Sequence, residues 1–298
     1  MEEKSLKILA IQMSSVIGDK KANFKKVEDL IDKNIQNDVD IIVLPEVWTI
    51  GWKCSEFGNF AENIENSETI DFLSKIAKKY NTNIIGGSFI TRVKSEKEKG
   101  KRSFSSKSSF EKDLSPFTSH FSLHNTCPVI NRQGELVATY DKMHLFSYYG
   151  CLEGSYVENG TNPVMIDIDN VKIGLTICYD IRFPEIYRAY AKAGADLLIN
   201  MAAWPKSRAI HWESLTRARA VENQCFMFAL TQSGLIEGDE WNLGHSRVID
   251  YSGETVTEID NGEGAMYAEI RFEDMYEFRK KCTVLKDIHG KYEVMGTE

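Results

Sequence analysis

The run Val39–Leu44 (VDIIVL) constrains this chain more than any other stretch, because its aliphatic residues follow one another without regular polar interruption. A strand with one wet face alternates apolar and polar residues, whereas a strand covered on both faces does not. Helices must therefore lie on both sides of such a strand or pack a second layer against it. The rest of the chain supplies them. Leu6–Gln12 reads as a first strand, and Asn23–Ile35 sets Phe24, Val27, Leu30, Ile31 and Ile35 on one helical face. Glu68–Tyr80 repeats that spacing through Ile70, Leu73, Ile76 and Ala77, and Asn83–Ile90 returns to strand.

The second half keeps the rhythm. His124–Asn131 and Glu135–Asp141 form a hairpin across Arg132-Gln133-Gly134, and Val164–Ile168 and Val171–Cys178 form another across Asp169-Asn170. A helix over Pro184–Ala193 opens on proline and closes at Gly194. Strand Asp196–Ala202, helix Arg208–Asn223 and strand Gln224–Thr231 follow, and strands Gly244–Tyr251 and Ala265–Ile270 flank a turn at Ser252-Gly253. The order predicts an α/β fold with helices outside buried sheets. Lys94–Ser119 departs from it: KSEKEKGKRSFSSKSSFEKDLSP is polar and reads as a surface insertion, not a domain boundary. As a nucleic-acid arm it is poor, since Glu and Asp dilute its lysines.

Charge and cysteine usage exclude several functions. A net charge of −8 disfavours nucleic-acid and anionic-membrane surfaces, which need clustered Lys and Arg. No apolar run has bilayer length, and the opening MEEKSLKILAIQM lacks the core of a signal peptide, so a cytoplasmic protein is expected. The six cysteines (Cys54, Cys127, Cys151, Cys178, Cys225 and Cys282) show no CxxC pair and no clustering with His. No metal and no cofactor is expected, and reduced thiols fit the cytosol.

Three reactive groups fall at the ends of apolar strands: Glu46 after Asp40–Pro45, Lys142 after Leu136–Asp141, and Cys178 after Ile173–Ile177. In α/β sheets the ligand crevice lies beyond the carboxyl ends of strands, so three strands can deliver a carboxylate, an ammonium and a thiol to one place. Amide hydrolysis uses such a trio. A thiol needs an adjacent base, a buried carboxylate can serve as that base and then as acid, and a cation or the Tyr179 N–H can bind the oxyanion. Such a donor is worth roughly 3–4 kcal/mol of barrier. Spacing alone leaves each residue a plainer alternative as a strand-end carboxylate, a surface lysine or a buried core thiol.

The local sequences carry more. LPEVW (Leu44–Trp48), YDKMHLF (Tyr140–Phe146) and ICYDIRFPE (Ile177–Glu185) resemble the three signature segments of the nitrilase superfamily of carbon–nitrogen hydrolases. The likeness extends to Asn125-Thr126, Pro205 after Trp204, ARAVEN at Ala218–Asn223, and GHS at Gly244–Ser246. It implies a single domain over residues 1–298 with a four-layer αββα sandwich. It also implies a Glu46–Lys142–Cys178 triad working through a thioester, and a homodimer or larger assembly whose contact includes the tail from about residue 275 to 298. A second glutamate expected after the lysine matches Glu153, with Glu158 as the alternative.

The stretch from Cys178 to His211 looks closest to the omega-amidase-like branch, whose substrates are short amides carrying a carboxylate, such as 2-oxoglutaramate or 2-oxosuccinamate. On that likeness Arg182 clamps the carboxylate, Trp204 lines the pocket, and Tyr148 or Tyr149 closes its mouth. The plainer role for Arg182 is an ion pair with Asp180 or Glu185. An N-carbamoyl amidohydrolase, a nitrilase, a non-catalytic binding protein, and a Cys–His hydrolase using His211 or His245 are the rival readings.

Overall fold

The computed structural model describes residues 4–36, 38–94, 121–148 and 151–290. The expected insertion, apart from Lys94, and the last eight residues lie outside them. The strands of the first half are β1 (Ser5–Gln12), β2 (Ile41–Val43), β3 (Asn83–Ile85), β4 (Phe89–Lys94), β5 (Phe121–Ile130) and β6 (Leu136–Asp141). A small ribbon, β7 (Ser147–Tyr148) and β8 (Cys151–Leu152), leads to β9 (Met165–Ile168), β10 (Val171–Ile177), β11 (Leu197–Ala202) and β12 (Phe226–Thr231). A second ribbon, β13 (Leu235–Glu237) and β14 (Glu240–Trp241), precedes β15 (Arg247–Ile249), β16 (Thr255–Glu258) and β17 (Gly264–Arg271). The helices are α1 (Lys20–Asn34), the single turn α2 (Phe57–Phe60), α3 (Glu68–Tyr80), α4 (Pro184–Lys192), α5 (Ala209–Asn223) and α6 (Glu273–Lys281).

One sheet runs β17-β1-β2-β3-β5-β4 with β6 on β5, and the other runs β16-β15-β12-β11-β10-β9. The two-residue period of the strands explains their stacking. Along β1, Leu6, Ile8 and Ala10 join a core shared with Ile173 and Leu175 of β10, while Leu9 and Ile11 face α1 and α3 through Val27, Ile31, Leu73 and Ile76. In β2, Ile41 and Val43 point to the shared core and Ile42 to the helices, which is why the run is apolar throughout. Helices α4 and α5 cover the far side of the second sheet through Ile186, Tyr187, Trp212 and Ala220. The layers are therefore helix, sheet, sheet, helix. Burying a Leu or Ile side chain fully contributes about 1.5–3 kcal/mol, and the cluster that joins the two sheets and reaches α4 and α5 holds dozens of buried residues.

Two expectations need correction. Asn83–Ile90 is not one continuous strand: six residues from Ile84 to Phe89 oppose five from Ile130 to Thr126, a one-residue bulge at Gly86-Gly87. Gly87 has φ +63°, and a Cβ there would sit 2.0 Å from the Pro45 carbonyl oxygen, so only glycine lets the chain pass. Nor does Ala265–Ile270 pair across the Ser252-Gly253 turn. That turn joins β15 to β16, whose Thr255-Val256-Thr257-Glu258 has almost no buried side chain, and β17 crosses to pair with β1 in the other sheet. Among the described residues, no helix is long and apolar enough to cross a membrane.

Candidate active site

The parallel strands β1, β2 and β3 and the parallel strands β10, β11 and β12 bring their carboxyl ends to one region. Glu46 lies three residues past β2. Its neighbour Val47 has φ +46°, a value that a β-branched residue rarely adopts. Several bonds hold this turn: Ser88 N–H donates to the Pro45 carbonyl (3.1 Å), Val47 N–H to Ser88 Oγ (3.0 Å), and Gln232 Nε2 to the Glu46 carbonyl (2.6 Å). Lys142 follows β6, with its N–H on the Asn125 carbonyl (2.9 Å) and its carbonyl accepting from Gly160 N–H (2.8 Å).

Cys178 begins a short 3-10 helix, Cys178–Arg182, directly after β10, and has φ +43°. Strain of this kind gathers at functional sites. The buried Asp180 holds the turn: its Oδ2 accepts from Ile177 N–H (2.9 Å) and Tyr140 Oη (2.7 Å), and its Oδ1 from His144 N–H (2.9 Å). One carboxylate thereby ties the cysteine turn to the lysine loop.

Glu46, Lys142 and Glu153 are fully buried and Cys178 is 6% exposed. Lys142 Nζ donates to Glu46 Oε1 and Glu153 Oε2, each at 2.8 Å, and lies 5.0 Å from the Trp52 ring centroid. Glu46 Oε2 accepts from Ala203 N–H (2.9 Å), and Glu153 Oε2 from Phe146 N–H (2.7 Å). Asn125 Nδ2 donates to Oε1 of both glutamates at 3.1 Å. Among the described residues Glu158 makes no side-chain bond to this cluster, and its N–H bonds the Leu123 carbonyl. Burial, reinforced by the Glu153 charge, raises Glu46 above the ordinary carboxylate range despite Lys142. Burial alone would lower Lys142, but Glu153, Glu46 and Cys178 together hold it well above its ordinary value. Burial, then the Glu46 charge, pushes the Cys178 thiol well above its own. These directions favour the protonated form of the resting thiol and the charged form of Lys142.

The thiol opens into a pocket of about 110 Å3 lined by Trp52, Phe146, Tyr179, Arg182, Trp204, Arg208, Ile236 and Glu240. Arg182 forms no ion pair with Asp180 or Glu185 among the described residues. Its guanidinium lies 5.1 Å from the Trp204 ring centroid and 5.6 Å from that of Tyr179, with Nη2 3.1 Å from His211 Nδ1. Trp204 is nearly buried, its Nε1 donating to the Arg208 carbonyl (2.9 Å). His211 is thus engaged by Arg182 and His245 by Glu258 (2.8 Å), which leaves the Cys–His alternative without geometric support. The Tyr148 backbone pairs with Cys151 in the β7–β8 ribbon, but its side chain and all of Tyr149 lie outside what is described, as does their expected role at the mouth. Among the described residues, no group of three or more His, Cys, Asp or Glu is placed to hold a metal ion.

Several site residues carry no signal that spacing reasoning can use. Ala203 acts through its backbone, Trp52 sits in a loop, and Asp180 reads as a partner for Arg182. Asn125 is visible only as part of a family segment.

A carbon–nitrogen hydrolase family model matches residues 7–280. The 2-oxoglutaramate amidase of Bacillus subtilis is 32% identical over 94% of this chain and 96% of its own length. The chloroplastic omega-amidase of Arabidopsis thaliana is 30% identical, covering 93% and 70% respectively. The crystal structure of Saccharomyces cerevisiae Nit3, a member of branch 10 of the nitrilase superfamily, superposes with a TM-score of 0.76 at 28% identity, covering 93% of this chain and 94% of that one. On this match, and with the four-layer fold that accompanies it, the chain belongs to the carbon–nitrogen hydrolase family.

Proposed function

We propose that the protein is one carbon–nitrogen hydrolase domain that hydrolyses a short amide carrying a carboxylate, an omega-amide such as 2-oxoglutaramate or 2-oxosuccinamate, to the acid and ammonia. The observation that carries this reading is the buried convergence of Glu46, Lys142 and Cys178 beneath a pocket walled by Arg182. Cys178 Sγ attacks the amide carbon while Glu46 takes the thiol proton. Lys142 and the Tyr179 N–H, at the first turn of its helix where N–H groups lack an internal acceptor, stabilise the oxyanion. Glu46 returns the proton as the C–N bond breaks and ammonia leaves. Water then attacks the thioester, giving its proton to Glu46; the C–S bond breaks, the acid departs, and Glu46 returns that proton to Cys178 Sγ. Glu153 holds Lys142 at the carbonyl.

Arg182 takes the distal carboxylate in a planar, two-pronged contact that Lys cannot reproduce. Trp204 fixes the guanidinium from one side, and Arg208 adds positive charge to the same wall. The relatives' activities on 2-oxoglutaramate and omega-amides support the same substrate class. A homodimer formed through α5 and the tail is part of the proposal: α5 leaves Ile210 70% and Val221 46% exposed. Cys54, Cys127, Cys178, Cys225 and Cys282 carry free thiols, which fits a cytoplasmic enzyme.

The experiment is ammonia release from 2-oxoglutaramate, succinamate, N-carbamoyl amino acids and a nitrile. Turnover of the omega-amides is expected. Release from carbamoyl compounds alone, with carbon dioxide, replaces the substrate assignment. No turnover of any compound and no acyl adduct at Cys178 refutes the enzyme reading.

A further inference from the structure

Glu46 has to accept the thiol proton, yet most of its acceptor capacity is already in use. An ionised carboxylate offers about four lone-pair sites, two per oxygen. On Oε1 both are taken, one by Lys142 Nζ at 2.8 Å and one by Asn125 Nδ2 at 3.1 Å. On Oε2 the Ala203 N–H at 2.9 Å takes one. A single site on Oε2 remains. The Asn125 amide can only be oriented with Nδ2 toward the glutamates, since the reverse would press its carbonyl oxygen against two carboxylate oxygens. That orientation leaves the buried Asn125 Oδ1 with no donor among the described residues, a cost of roughly 1–3 kcal/mol. An uncompensated group of this kind in a native site calls for a role.

We propose that Asn125 is a positioning residue: by occupying Glu46 Oε1 and bridging to Glu153 Oε1, it leaves Glu46 Oε2 as the one place where the Cys178 proton lands. Lys142 bridges the same two glutamates through Glu153 Oε2, so ammonium and amide close a ring around the pair. Only Asn125 does so without bringing charge. Removing it opens a second proton site on Oε1, away from the one the ring leaves, and withdraws a donor that favours the ionised form of Glu46. The groups facing Glu46 are then Lys142, Glu153, Cys178 and the Ala203 N–H.

This inference rests on the proton transfer between Cys178 and Glu46 set out above, and its test reads S-alkylation of Cys178, not ammonia release. Iodoacetamide alkylates Cys178 by forming an S–C bond as iodide leaves, with the thiol proton passing to Glu46. The alkylation rate is measured from pH 5 to 9 on the full chain for wild type, Asn125→Leu and Asn125→Asp, with thermal melting to establish folding. Asn125→Ala, which removes the amide donors without adding bulk, serves where the Leu variant does not fold. The expected result is a rate at pH 7 about a hundredfold lower in the Leu variant, the loss a displaced reacting group incurs. The midpoint of the pH profile is expected to move upward, further for Asp, which adds a third carboxylate, than for Leu. A folded Leu or Ala variant with the wild-type midpoint overturns the proposal, whatever happens to its rate. If wild type releases no ammonia from any amide, the amidase reading falls while this measurement still decides the role of Asn125.

Discussion

Replacing Lys142 with methionine tests whether the buried cluster is held by charge. The lysine is fully buried and bonds two fully buried carboxylates at 2.8 Å each. Removing one partner of a buried ion pair costs about 3–5 kcal/mol, because the charge left behind has no compensation. Here two carboxylates are left facing one another across the Asn125 amide, so the loss belongs at the upper end. Its pH dependence is the sharper signature. In the variant, at least one glutamate holds a proton in the folded state at pH values where the unfolded chain is already ionised. The folded state then binds more protons than the unfolded one, so stability is present at low pH and lost as pH rises through the raised value. One such proton corresponds to about 1.4 kcal/mol per pH unit. In wild type the ammonium already offsets part of that charge, so the gap between the two proteins should widen from pH 5 to pH 8 by up to that slope. Urea unfolding of both proteins across that range measures it. A deficit below about 1 kcal/mol that does not change with pH would refute the reasoning, since it would mean the two carboxylates are solvated or already neutral without their lysine.

The other predictions concern activity. Cys178→Ala should abolish ammonia release with an unchanged melting transition; retained turnover excludes the thioester route. In wild type the acid limb of kcat/KM should lie above the ordinary glutamate range, because burial raises Glu46 and it must be ionised to take the thiol proton, so activity rises with pH through that value. A limb at or below the ordinary range would remove Glu46 as the base. Arg182→Leu should cost roughly 1.5–3 kcal/mol in kcat/KM toward an omega-amide bearing a carboxylate, mostly in KM, and little toward propionamide; equal losses for both would make Arg182 a packing residue. Gly87→Ala should lower kcat more than it raises KM, since the added methyl meets the Pro45 carbonyl 2.0 Å away and pushes the Glu46 turn aside. A fully active Gly87→Ala variant would show that this turn tolerates displacement.

Why some of this site was legible in the sequence, and some was not, follows from what each residue does with its neighbours. Apolar runs report burial on both faces, so β2, β10 and β11 could be placed, and with them the strand ends that carry Glu46 and Cys178. The strand β16 was missed because only one of its four side chains is even partly buried; pairing through backbone alone leaves no apolar period. The bulge at Gly86-Gly87 was missed for a related reason. A glycine pair marks a break in pattern, but whether the chain turns away or resumes on the same edge of β5 depends on the Pro45 carbonyl beneath it, which is remote in sequence.

Chemistry followed the same division. Residues whose side chains react fall at strand ends, where the family segments rather than spacing set them apart from plainer roles, and the role of Arg182 came from the likeness to the omega-amidase-like branch. The roles of those that prepare them are not set apart in this way. Ala203 contributes a backbone N–H that any residue would supply, Asp180 acts by joining two loops forty residues apart in sequence, and Asn125 acts by denying Glu46 an acceptor site. Such roles exist only in the assembled geometry, because each is defined by which lone pairs remain once every donor has been placed. The positive φ values at Val47 and Cys178 belong here too. Neither residue type announces a left-handed turn; valine argues against one. The strain is tolerated because Ser88, Gln232 and Asp180 bind the surrounding backbone, and those three residues are drawn from distant parts of the chain. The reactive groups are thus local facts of the sequence, and their readiness to react is a property of contacts between segments that the sequence keeps apart.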